Sequence, residues 1–233
     1  MTADEFLGEL LRESAWRFEE VQHLNNLVTR EPNEERQASL RKSLIMLLYA
    51  HLEGFVVFAL DHYRTAINTA GVRCGEVTPE VLAGAWDLVF KAMQLGDAKC
   101  RVFLKPLPHD EILHRQWRRR HFIEEVSRFE DAVLEMPEDL IDATSNLTPQ
   151  VLQRNLFVLG LDHQFVVPHA DNINKLLGQR NRIAHGDNRR GISLADYSKY
   201  ESSVKGICEK LVEHLDAAYR EQRYLKPHPD YSL

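Results

Sequence analysis

Residues 44–60 read LIMLLYAHLEGFVVFAL, an apolar run without a continuous polar face. A helix that is apolar all round must be buried, either in a protein core or in a bilayer. This run is short for a span, and it carries His51 and Glu53 at its centre, where lipid would make ionisable groups expensive. It therefore predicts a buried central helix that other helices must cover, and no membrane partner.

The rest of the chain supplies those helices. Residues 3–30 place Phe6, Leu10, Val21 and Leu24 near a 3.6-residue period. Pro32 breaks that pattern, and Asn33 can cap a second helix from Glu34 to Ala70, closed by Gly71. Thr78-Pro79-Glu80 reads as a helix start with proline in the first turn, predicting a helix to about Met93. Residues 95–108, with Pro106 and Pro108, read as irregular. Helical pattern returns over 109–135, from Thr148-Pro149 to Leu159, over 169–185, and from Ser193 to Arg223. Strand alternation is weak throughout. The expectation is an all-α antiparallel helical bundle, forming a single domain over 1–225 with a flexible tail at 226–233.

The net charge of -6 gives no overall attraction to nucleic acid, so any such site must be a local basic patch. Three cysteines, Cys74, Cys100 and Cys208, are odd in number and widely spaced. That predicts reduced thiols and a cytoplasmic setting, not a disulfide framework. No phosphate loop, HExxH or nucleophile elbow occurs, and no histidine or cysteine pair has metal-ligand spacing. No cofactor and no metal are expected.

The informative stretch is 176–186, LLGQRNRIAHG, which packs Arg180, Asn181, Arg182 and His185 close together. An arginine followed shortly by a histidine also occurs at Arg17 and His23, and at Arg115 and His121. Context singles out Arg180: an apolar turn precedes it, an asparagine follows it directly, and one long final helix comes next. The stretch resembles the HEPN superfamily, whose hallmark is an arginine, a short spacer and a histidine, often with a polar residue right after the arginine. Residues 43–55 (SLIMLLYAHLEGF) and 147–161 (LTPQVLQRNLFVLGL) resemble the early and middle segments of a bacterial, toxin-like HEPN branch.

The resemblance implies a HEPN-type bundle with extra helices and RNA cleavage by Arg180, Asn181 and His185. It also implies a homodimer with facing motifs, and a toxin or defence effector restrained by a neutralising partner. A non-catalytic module that binds RNA or nucleotide, or a dimeric scaffold, fits the same residues. The chemistry stands without the family. RNA carries its own nucleophile, the 2′-hydroxyl. Histidine suits the proton transfers, and arginine's planar, permanently charged fork suits the phosphate. Residues five apart on a regular helix point about 140° apart, so for Arg180 and His185 to share one small site either the helix distorts near Gly186 or two copies meet and pool their groups. Asn181 and His185, four apart, share a face. The bland alternative is a solvated helix end.

Several further residues are candidates. His51, Glu53 and Arg182 are candidate supports, with Glu53 placed to pair with Arg180 or to orient His185; otherwise His51 and Glu53 form a satisfied core pair that also involves Tyr49. Residues 114–121 (HRQWRRRH) place Arg115, Arg118 and Arg119 on one helical face as an RNA-backbone patch, with Trp117 offering a surface on which a base can stack. The bland reading there is a solvated charged face. Arg189 and Arg190 extend the track beyond His185.

Overall fold

The computed structural model describes residues 1–94, 110–187 and 190–227. Among them are eight α-helices and no strand: α1 (Ala3–Thr29), α2 (Glu34–Thr69), α3 (Pro79–Ala85), α4 (Asp87–Gln94), α5 (Glu111–Glu130), α6 (Pro149–Val158), α7 (Ala170–Ala184) and α8 (Leu194–Arg220). The starts follow from the sequence. Thr2, Asn33, Thr148 and Ser193 each accept a backbone N–H of the first turn through their side chains, satisfying donors that the helix itself cannot.

The 44–60 run lies in α2, which is long and apolar enough to cross a membrane by length and composition. It is instead the central helix. Leu44, Leu48, Leu52, Phe55, Ala59 and Tyr63 are all but inaccessible, and α1, α6, α7 and α8 pack around them. Each large apolar side chain so buried contributes about 1.5–3 kcal/mol. The short turn after α1 makes α1 and α2 an antiparallel hairpin, which α8 completes by packing on both.

Three expectations change. The helix opened by Pro79 bends at Trp86 and becomes α3 and α4. Trp86 still donates to Leu82 O and accepts from Phe90 N–H, both at 3.0 Å, so this is a kink. The cause is packing: the Trp86 ring meets Phe122 and Phe129 of α5 at 5.6 and 6.1 Å. Second, the tail does not begin loose. Lys226 donates its backbone N–H to Glu76 O at 2.8 Å and its Nζ to Gly75 O at 2.7 Å. Third, residues 163–168, which carried no helical prediction, form with His169 a 3-10 helix ahead of α7. The irregular stretch at 95–108 and the tail beyond Pro227 lie outside the described residues. Cys74 and Cys208 are free and buried, and burial pushes the Cys208 thiol up to about 12; Cys100 lies outside the described residues.

Candidate functional site

Helix α7 carries Arg180, Asn181 and Arg182 in its last turns and ends at His185. Ile173 and Leu176 bury its inner face against α2. The end is a Schellman turn. Asp187 N–H reaches Arg182 O at 2.9 Å and Gly186 N–H reaches Ile183 O at 3.1 Å. Gly186 adopts φ +76°, the left-handed conformation that glycine takes without penalty. His185 is the capping residue; its N–H donates to Asn181 O at 2.9 Å, and its ring is exposed.

Arg180 turns the other way. It is half-buried, and its guanidinium lies over the Tyr49 ring of α2, 4.9 Å from the centroid. Its Nη1 donates to Asn181 Oδ1 at 2.9 Å. The angular separation expected from the spacing is thus realised: Arg180 faces α2, while His185 faces solvent. Asn181 touches both, through its side chain on one side and its carbonyl on the other.

Tyr49 is held firmly. Its hydroxyl donates to Glu53 Oε1 at 3.0 Å and accepts from the Leu147 N–H at 2.8 Å; Leu147 N–H also reaches Glu53 Oε1 at 3.0 Å. Burial, and then the neighbouring Glu53 charge, hold the phenol well above its ordinary range, so it stays a neutral donor. Glu53 makes no ion pair with Arg180 and does not meet His185; it acts on Arg180 only through Tyr49. His51 points to the opposite side of α2, against α1. Its Nε2 lies 2.9 Å from Glu20 Oε2, off the line of a good hydrogen bond, and its ring meets Trp16 edge-on at 5.4 Å. Burial lowers its pKa against the opposing pull of Glu20. His51 belongs to the α1–α2 contact, because a two-residue offset on a helix sends neighbours to different sides.

Arg182 is exposed and folds back onto Gln179, whose Oε1 accepts from its Nη2. With Gln179, Tyr200 and Asp196 it lines a groove of about 460 Å³ between α7 and the start of α8. The loop beyond the motif is strapped to α2. Ile192 N–H donates to Ala38 O at 2.8 Å, and the buried Arg41 reaches Ile192 O at 3.2 Å and Glu34 at 2.8 Å. A Cβ on Gly191 would stand 2.7 Å from the Ala38 carbonyl carbon, so the close approach requires glycine. Arg190 is exposed beside this loop; Arg189 lies outside the described residues.

The basic run on α5 is not one uniform face. Arg118 is buried at 3% exposure and donates to Ala92 O of α4, so it stitches two helices together and does not present itself to a phosphate. Arg115 and Arg119 are exposed, and with Phe90, Met93 and Gln94 they line a groove of about 490 Å³. Trp117 is half-buried and stacked on its own neighbour His121 at 5.3 Å. Helix α5 packs on α4 and the Cys74–Glu76 turn, whereas α7 packs on α2, α6 and α8, so the two basic regions sit on different parts of the bundle. Among the described residues no group of three or more His, Cys, Asp or Glu is placed to hold a metal.

Sequence reasoning missed what the Leu147 backbone amide, Gln179 and Arg41 do. A backbone donor leaves no trace in residue type, Arg41 acts on a loop far along the chain, and Gln179 holds Arg182 from within the same helix, where spacing alone does not show which side chain folds back. The segments 43–55, 147–161 and 176–186 nevertheless meet at one place, where Tyr49 and Glu53, Leu147, and Arg180 come together. No match to the chain was found among curated proteins or among solved structures. A family profile described as MAE_28990-like HEPN matches residues 6–224, taking in all three segments. That match spans nearly the whole bundle, and the chain belongs to this HEPN family.

Proposed function

We propose that the chain is an endoribonuclease that cuts RNA to 2′,3′-cyclic phosphate and 5′-hydroxyl ends, without a metal ion. One observation carries this reading. A half-buried guanidinium, held by Asn181 Oδ1, stands five residues before an exposed histidine at a capped helix end. In the reaction the 2′-hydroxyl attacks the adjacent phosphorus as its proton passes to a neutral His185. The bond to the 5′-oxygen breaks, and that oxygen takes a proton. Donors of the Arg180 fork stabilise the charge on the five-coordinate phosphorus.

Among the described residues, one copy offers a single exposed histidine at this end, and the scheme needs a base and an acid. Two copies facing each other across their α7 ends supply one His185 for each role. The reading therefore includes a homodimer through this face, and sedimentation at micromolar concentration should show it; a strict monomer removes the composite site. The groove lined by Arg115 and Arg119, and the exposed Arg190, are the proposed contacts for RNA backbone. In the cell such an activity would act in the cytoplasm as a toxin or defence effector, held in check by a neutralising partner.

The same lone histidine favours the second reading, a non-catalytic HEPN module that binds RNA or nucleotide, or a dimeric scaffold. The deciding experiment incubates wild type and His185→Ala with total RNA in EDTA and maps the product ends. Cleavage by wild type alone, leaving cyclic phosphates, supports the nuclease. Binding without cleavage supports the module. Expression in a bacterial host should slow growth for wild type and not for His185→Ala; equal slowing by both would assign the toxicity to something other than RNA cleavage.

A further inference from the structure

We infer that Tyr49 is the positioning residue for Arg180: its ring is a rigid seat that fixes the guanidinium where it meets a phosphate. This rests on reading Arg180 as the phosphate-binding group. An arginine at a helix surface samples many rotamers, and each phosphate contact must first overcome that freedom. Here one face of the guanidinium is taken by the ring, 4.9 Å from its centroid, within the reach of a cation–π contact of about 6 Å. One of the five N–H donors is taken by Asn181 Oδ1. The remaining donors of the fork are left for phosphate oxygens, in a plane set by the ring.

The seat itself cannot turn. Tyr49 is 1% exposed, and its hydroxyl is held by Glu53 Oε1 and by the Leu147 N–H. Glu53 serves the arrangement in a second way. By accepting the phenol proton's hydrogen bond it pushes electron density into the ring and strengthens the ring's hold on a cation. It does so without an ion pair that would draw Arg180 away from its substrate. The arrangement joins four positions from three distant segments, and Arg180 is the only one of them that reaches toward the motif end of α7.

The test has two readouts. In isotope-labelled protein, the Arg180 Nε–H resonance, identified by its loss in Arg180→Lys, should be displaced by the ring current of Tyr49. It should keep that displacement in Tyr49→Phe and move to the ordinary arginine position in Tyr49→Leu. Should Tyr49→Leu not fold, Tyr49→Met, which refills the volume without a ring, takes its place. In single-turnover RNA cleavage, loss of the ring should lower the rate by roughly tenfold to thirtyfold, and Tyr49→Phe by less than about threefold. In an Arg180→Ala background, loss of the ring should have no further effect. A resonance that stays in place without the ring overturns the seat, as do two losses that multiply. If wild type cleaves no RNA, the nuclease reading fails, and the resonance alone decides the role of Tyr49.

Discussion

Replacing Gly186 with alanine isolates the backbone geometry that presents His185. A Cβ at Gly186 meets nothing within 4 Å, so the substitution creates no clash. What remains is the left-handed conformation at φ +76°, which costs an L-residue roughly 1–2 kcal/mol relative to glycine. Alanine also restricts the unfolded chain, which offsets part of this, leaving a net loss of about 1 kcal/mol. For a chain of this length that lowers the melting temperature by about 2–4 °C. Asparagine tolerates the left-handed region, so Gly186→Asn should recover most of the loss. The assay is thermal and urea unfolding of the three proteins, with RNA cleavage measured alongside. Cleavage should fall in Gly186→Ala, because the Schellman bonds from Gly186 and Asp187 hold the turn on which His185 sits. A Gly186→Ala protein that melts with wild type, or an asparagine variant as weak as alanine, would refute the geometry argued for this helix end.

Arg180→Lys should lose on the order of 10²-fold in cleavage rate while folding normally, since lysine keeps the charge and loses the planar fork. Arg182→Ala should cost far less, because Arg182 is folded back on Gln179; the reverse order in an RNA-cleavage assay would make Arg182 and His185 the working pair. Arg118→Ala should destabilise the protein by about 1–3 kcal/mol in urea unfolding by stripping a buried carbonyl of its partner. Arg115→Ala and Arg119→Ala should leave stability alone and flatten the salt dependence of RNA binding. His62 is stacked between Phe6 and Phe58 at 4.8 and 5.6 Å, and burial lowers its pKa against the pull of the Phe6 backbone, Glu9 and Asp61. The unfolded chain then binds the proton more readily, so stability is full above the ordinary histidine value near 6.5 and falls as pH drops below it. Melting curves across pH 5 to 8 should show this, with a smaller slope in His62→Phe; an equal slope in that variant removes His62 as a source.

Periodicity, caps and breakers fixed most of the helices, because those signals are local. Asn33 and Gly71 bound α2, Thr148-Pro149 starts α6, and Gly186 ends α7, each through bonds within a few residues. The all-round apolar run made α2 central, and the Arg180-to-His185 spacing placed those two side chains on different faces before any packing was known. Local pattern could not decide which charges stay in water. Arg118 and Arg119 are neighbours in one basic run, yet one is buried against Ala92 and the other lines a groove, because the side a helix turns inward depends on the partner that covers it. Nor could it show that Tyr49, Glu53 and the amide of Leu147 converge on Arg180. Those contacts span most of the chain, and the tertiary fold alone brings them within bonding distance.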